Sequence, residues 1–111
     1  MALSIADFSS QTGAMVTQIK QLATIESPTS HKPGVDRIGA FVTEQLRTLG
    51  ADVTVDQQAE AGNNVYGCWG SGGILILCHM DTVHPLGTLA RQPLRELSGR
   101  LFGPGVYDMK A

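Results

Sequence analysis

Three residues near one apolar run of the sequence have side chains suited to holding a metal ion. His79 and Asp81 follow the apolar residues 73–78, and Asp108 follows the Gly-Pro-Gly sequence at 103–105. The apolar run is typical of a strand that is buried on both faces. Because side chains alternate along a strand, His79 and Asp81 leave its end on the same side. Ligands of α/β sheets bind beyond the carboxyl ends of strands. We therefore predict a site where His79 and Asp108 are metal ligands and Asp81 supports His79.

Each of these assignments has a simpler alternative. A histidine and an aspartate at the end of a strand, such as His79 and Asp81, are more often a cap or an ion pair than a metal site. Asp108, taken alone, is more typical of a turn residue that bonds its own backbone. Lys110 is interpreted as a surface charge, because no phosphate-binding glycine loop precedes it.

Two amphipathic helices precede the apolar run. Apolar residues recur at helical spacing from about residue 12 to 25, and the spacing predicts a second helix from about 34 to 49. Ser27, Pro28 and the residues that follow end the first helix and open a loop. Gly50 fits the position just past the end of the second helix.

Strand patterns dominate the remainder. Residues 51–56 alternate strictly between polar and apolar, which predicts a strand with one solvated face. Further strands are expected at 64–70 and in the apolar run at 73–78, and residues 94–97 and 100–102 look like a short hairpin. The glycines at 103 and 105 permit the unusual backbone angles of a tight turn. We expect one α/β domain, in which helices pack on a mixed sheet.

Composition excludes several classes of function. The chain has 111 residues, of which 42% are hydrophobic, and these values fit one globular domain. The net charge of −2 predicts neither a nucleic-acid partner nor a charged membrane surface. No apolar run approaches the roughly 20 residues that span a bilayer, and the N-terminus lacks the pattern of a secretory signal. We expect a cytoplasmic protein, with Cys68 and Cys78 as small buried residues.

Two motifs resemble a known family when they are taken together. They are residues 79–83 (HMDTV) and 103–110 (GPGVYDMK). The pair resembles the signature of a two-zinc metallopeptidase family that includes glutamate carboxypeptidases, acetylornithine deacetylase, succinyl-diaminopimelate desuccinylase and aminoacylases. Residues 25–29 (IESPT) resemble the N-terminal region of that family. Residues 87–93 favour its glutamate carboxypeptidase branch.

The resemblance implies a role for each of the three residues. His79 is similar to the imidazole ligand of one metal, and Asp108 to the carboxylate that bridges both metals. Asp81 is similar to the catalytic-site acid that hydrogen-bonds the histidine and fixes its tautomer. The implied cofactor is a pair of Zn²⁺ ions, with Co²⁺ or Mn²⁺ as alternatives. The implied reaction is cleavage of the amide bond next to a C-terminal amino acid such as glutamate, in a small peptide or an N-acyl amino acid.

The resemblance also implies parts that this sequence does not contain. The general base of the family is a glutamate in a Glu-Glu pair, and no such pair occurs here. We therefore expect residues 1–111 to be the N-terminal portion of a catalytic domain, inactive alone and prone to associate through uncovered apolar surface. The full-length form is expected to be a homodimer. The alternative is a non-catalytic α/β module that retains a vestigial metal site for packing or assembly.

Overall fold

A computed structural model describes residues 2–111 of the chain. These residues form helices, short strands and a long irregular segment at 69–87. In chain order the elements are α1 (Ile5–Ser9), α2 (Thr12–Ala23), α3 (Lys32–Thr48), β1 (Asp52–Asp56), β2 (Asn64–Cys68), α4 (Thr88–Arg91), β3 (Arg95–Leu97) and β4 (Arg100–Phe102). No helix among them is long and apolar enough to span a membrane.

The two long helices agree with their predicted positions to within about two residues. The helix α3 begins at Lys32, before its predicted start, because Pro33 at its first turn has a φ angle compatible with a helix and no amide to satisfy. The helix ends as predicted. Gly50 has a φ of 82°, and its N–H donates to the carbonyl oxygen of Arg47 at 2.9 Å. A glycine in this left-handed conformation is a common way to end a helix.

The strands form two antiparallel pairs. In the first sheet, β1 pairs with β2 so that Val55 lies opposite Val65, and α3 packs against this pair. The valines of β1 are half-buried and its polar residues are exposed, so the predicted one-sided strand is confirmed. In the second sheet, β3 and β4 form the predicted hairpin. The structure confirms the predicted α/β class with helices packed on strands, although the predicted mixed sheet is divided into two small sheets.

The apolar run at 73–78 differs from its prediction. The sequence predicts a strand buried on both faces, but Ile74, Leu75, Ile76 and Leu77 are between 77% and 93% exposed and belong to no strand. That prediction is wrong for residues 2–111 because neither of their two sheets includes this segment. An apolar strand becomes buried only where neighbouring strands and helices cover it.

The buried core of the described residues is small. Its apolar members are Ala23 at the end of α2 and Val35 and Ile38 on α3. The expectation of buried cysteines is wrong, since Cys68 and Cys78 are both exposed and unbonded to each other. Cys78 lies in the uncovered apolar run, and Cys68 ends a strand of a two-stranded sheet.

Candidate metal site

The three residues predicted as a site lie together. The Nε2 atom of His79 is 2.8 Å from Oδ1 of Asp108, and its Nδ1 atom is 3.2 Å from Oδ1 of Asp81. The imidazole therefore lies between two carboxylates that are distant from each other in the sequence. The hydrogen bond to Asp108 is the main cause that raises the pKa of His79, and the carbonyl oxygen and charge of Asp81 add to it. Both ring nitrogens face acceptors, which favours the doubly protonated ring in the absence of metal.

The side chains around this imidazole differ in their exposure to solvent. The Asp108 side chain is 76% exposed, whereas that of Asp81 is 29% exposed and that of His79 is 47% exposed. Asp108 thus has room to move relative to His79, while Asp81 is more firmly enclosed. The arrangement is an open site on the surface of the described residues.

Asp81 is held by a hydroxyl group. Thr29 Oγ1 donates a hydrogen bond of 2.5 Å to Oδ2 of Asp81, the oxygen that does not face His79. This bond is the main cause that lowers the pKa of Asp81, and the nearby His79 adds to the effect. An ionised Asp81 is a strong acceptor for the Nδ1–H group of the imidazole. The order Thr29, Asp81, His79, Asp108 is therefore a continuous chain of hydrogen bonds.

The connection between α2 and α3 holds the segment that carries His79. Ser27 Oγ donates to the carbonyl oxygen of Met80 at 2.9 Å, and the N–H of Thr82 donates to the carbonyl oxygen of Ser27 at 2.8 Å. Pro28 and Thr82 form an isolated parallel β-bridge. Beside it, the backbone N–H of Thr29 donates to the carbonyl oxygen of Thr82 at 3.2 Å. From their sequence, residues 27–30 are expected to end the first helix and open a loop, and their hydrogen bonds to the segment at 80–82 are not predicted. The signal for these bonds is a pair of hydroxyl residues around a proline, which can bond a neighbouring segment.

The turn that carries Asp108 follows its prediction. Gly103 and Gly105 have φ values of 155° and 77°, which confirms the need for glycines. A Cβ atom at Gly103 would clash with the side chain of Leu94, and one at Gly105 would lie 3.0 Å from Thr82 Cγ2. The turn therefore packs closely against the segment that follows His79 and Asp81.

Lys110 is buried, so its interpretation as a surface charge is wrong. The residue is 7% exposed, and its Nζ donates to the carbonyl oxygen of Ile25 at 2.7 Å. Burial lowers the pKa of Lys110 to about 8, and the negative charge of Glu26 opposes that shift. Glu26 in turn accepts hydrogen bonds from the backbone N–H groups of Leu89 and Gly87, which lower its own pKa. Sequence alone gives no signal for this burial, because the contact joins residues 85 positions apart.

The donor atoms at this site suit zinc. An imidazole nitrogen and a carboxylate oxygen are ordinary zinc ligands, and here they lie 2.8 Å apart at a solvent-exposed position. A metal bonded to both would need only a small separation of His79 and Asp108, because each bond is about 2.0–2.2 Å long. Residues 2–111 contain no group of three or more His, Cys, Asp or Glu side chains placed to hold a metal. The described residues therefore provide two candidate ligands and one supporting carboxylate, Asp81.

The chain is similar in sequence to a known carboxypeptidase. The chain is 35% identical over 102 residues to Carboxypeptidase G2 of Pseudomonas sp. (strain RS-16). This similarity supports the predicted resemblance of the chain to the glutamate carboxypeptidase family and to nothing finer. The match covers 87% of the chain but 25% of the relative, so the chain spans about a quarter of that protein's length. No protein-family model matches the chain. The glutamate carboxypeptidase resemblance drawn from the sequence is thus supported at the level of the family.

Proposed function

We propose that the chain is part of a metal-dependent hydrolase of the carboxypeptidase type. The substrate would be a small peptide or an N-acyl amino acid, cleaved at the amide bond next to a C-terminal residue such as glutamate. The observation that carries the proposal is the placement of the His79 imidazole between the carboxylates of Asp108 and Asp81. The similarity to Carboxypeptidase G2 over most of this chain supports the same class of reaction.

His79 and Asp108 would be the metal ligands of this site. His79 Nε2 and the Asp108 carboxylate would hold the metal, for which we propose Zn²⁺, with Co²⁺ or Mn²⁺ as alternatives. When it is bound, the metal supplies a Lewis acid that polarises the oxygen of a scissile carbonyl. The whole protein would hold a pair of such ions and form a homodimer.

Asp81 would act on the imidazole without binding the metal. Its carboxylate would accept a hydrogen bond from the Nδ1–H group, which would fix the tautomer of His79 and leave Nε2 directed at Asp108. Binding a metal at Nε2 requires that nitrogen to lose its proton, so metal and proton compete for it. The Thr29 hydroxyl lowers the pKa of the Asp81 carboxylate and holds one of its oxygens by a hydrogen bond.

A chimera tests the reaction class directly. This chain would replace the matching segment of Carboxypeptidase G2, and release of glutamate from an N-acyl glutamate would be measured in the presence of zinc. We expect the chimera to hydrolyse the substrate. His79→Ala should reduce the rate at least about 100-fold, because loss of a metal ligand should cost more than the roughly 10–100-fold loss caused by removing a residue that only supports one. His84→Ala is the matched control, since His84 makes no hydrogen bond to the three site residues.

The outcomes of the chimera experiment separate the two functions considered. Equal rates for the native chimera and its His79→Ala variant would contradict the proposal, provided that circular dichroism shows both to be folded. In that case the non-catalytic module would be the better description.

A further inference from the structure

Lys110 occupies an unusual position for a long cationic side chain. Only 7% of the residue is exposed, and its Nζ bonds a backbone carbonyl, that of Ile25, at 2.7 Å. Lysines are almost never fully buried unless the amine has a partner or a task. Lys110 lies two residues from Asp108, but its side chain makes no hydrogen bond to His79, Asp81 or Asp108.

The segment that carries Asp108 has few other attachments. Within the described chain, residues 106–111 reach distant segments through three hydrogen bonds. In the first, the Asp108 carboxylate pairs with Nε2 of His79. In the second, the backbone N–H of His79 donates to Met109 Sδ at 3.5 Å, and in the third, Lys110 Nζ donates to the carbonyl oxygen of Ile25. The sulfur contact is long and weak, and the Asp108 contact is the one that needs support. The lysine bond is therefore the main independent tether of this segment.

The same connection holds both halves of the candidate site. Ser27 and Thr29 bind the segment that contains His79, while the carbonyl of Ile25 binds Lys110. Residues 25–29 thus form a common frame for the histidine and for Asp108. Because the Asp108 side chain is largely exposed, its distance from His79 depends on this frame more than on local packing.

The partners of Lys110 are themselves fixed in place. Glu26, the neighbour of Ile25 in the sequence, accepts hydrogen bonds from the backbone N–H groups of Gly87 and Leu89. The backbone N–H of Lys110 also donates to the carbonyl of Gly105 at 3.2 Å, which closes the turn behind Asp108. Both ends of the lysine residue are therefore fixed.

We infer that Lys110 is a positioning residue, which ties the Asp108 segment to the connection between α2 and α3 and so holds the Asp108 carboxylate against His79. This inference rests on the proposed function, since its expected consequence is a higher metal affinity of the site formed by His79 and Asp108. Lys110 does not contact the metal ligands' donor atoms and has no catalytic role here.

A substitution of similar shape separates positioning from general stability. Lys110→Met keeps most of the side-chain volume but loses the charge and the bond to Ile25. Because burial of an ammonium group has a desolvation cost, methionine need not destabilise the fold. Lys20→Met is the matched control, since the Lys20 side chain is 40% exposed and its partner, Glu96, is on the surface.

Two measurements on the 111-residue chain would test the inference. Zinc affinity would be determined by competition with a chromophoric chelator, and thermal unfolding would be followed without metal. We expect Lys110→Met to bind zinc about 10-fold more weakly, in the range known for residues that support metal ligands, with an unfolding midpoint within about 2 °C of the native chain. Lys20→Met should match the native chain in zinc affinity.

Each contrary result has a distinct meaning. Native zinc affinity in Lys110→Met would overturn the inference and leave the proposed function standing. A loss of affinity accompanied by a proportionate loss of thermal stability would also overturn it, because Lys110 would then be only structural. Failure of the native chain to bind zinc would overturn the proposed function and this inference together.

Discussion

The substitution Ser27→Ala tests whether the connection between α2 and α3 holds the segment that carries His79. The residue is fully buried, and its hydroxyl donates to the carbonyl oxygen of Met80, the neighbour of His79. Ser27→Ala removes this bond but keeps the backbone bond from Thr82 to the carbonyl of residue 27. The damage should therefore be confined to one hydrogen bond.

The size of the effect follows from the chemistry of that bond. A hydrogen bond between neutral groups contributes about 0.5–1.5 kcal/mol, and a buried carbonyl that loses its partner costs about 1–3 kcal/mol. Met80 is half-buried, so water can partly replace the lost hydroxyl. We expect Ser27→Ala to lower the free energy of unfolding by about 1 kcal/mol, which corresponds to a fall of about 4–8 °C in Tm for a chain of this size.

Thermal unfolding followed by circular dichroism would measure this change. Ser30→Ala is the matched control, because Ser30 is exposed and its hydroxyl makes no hydrogen bond within the part of the chain that the structure describes. Identical midpoints for the two variants would refute the role assigned to Ser27. They would also weaken the common frame on which the positioning of Asp108 depends.

Three further predictions concern the core, the response to acid and the supporting hydroxyl. Ile38 is 1% exposed, so Ile38→Ala should cost about 2–5 kcal/mol in urea unfolding, and a cost below about 1 kcal/mol would contradict its central place in the core. Asp36 accepts the backbone N–H of Asn63, which holds its pKa below the usual 3.8. Its ionised form therefore contributes stability that is present above pH 3.8 and lost as the pH falls through the lower pKa of the folded state. Asp36→Asn should lose less Tm than the native chain between pH 6 and pH 2, and parallel Tm curves would be inconsistent with this role. Thr29→Val should weaken zinc binding about 10-fold because it frees the Asp81 carboxylate, whereas Thr29→Ser should retain native affinity; equal affinities in calorimetry would exclude the supporting role.

Local features of the sequence predicted the two long helices, α2 and α3, and the one-sided strand, but not the short helices α1 and α4. Apolar spacing and the glycine at position 50 define α3 and its end, because these signals depend only on neighbouring residues. The alternation in β1 was informative for the same reason. The apolar run at 73–78 was misinterpreted, since its burial depends on neighbouring strands that the run itself does not encode.

The site shows the same division between local and distant information. His79, Asp81 and Asp108 stood out because their residue types and the surrounding motifs suggested metal chemistry. The groups that hold them did not stand out. Thr29 lies 52 positions from Asp81, and Lys110 lies 85 positions from Ile25. The side chains of Thr29 and Lys110 make these hydrogen bonds only in the folded chain, so sequence patterns alone do not predict that they support the site.

X-ray absorption at the zinc edge would show whether His79 binds the metal, since the spectrum reports the atoms bonded to zinc. We expect nitrogen and oxygen neighbours at about 2.0–2.2 Å with the multiple-scattering pattern of an imidazole, which His79→Gln should remove. A sulfur neighbour at about 2.3 Å, as the exposed Cys78 would give, or an imidazole signal that persists in His79→Gln would contradict metal binding by His79.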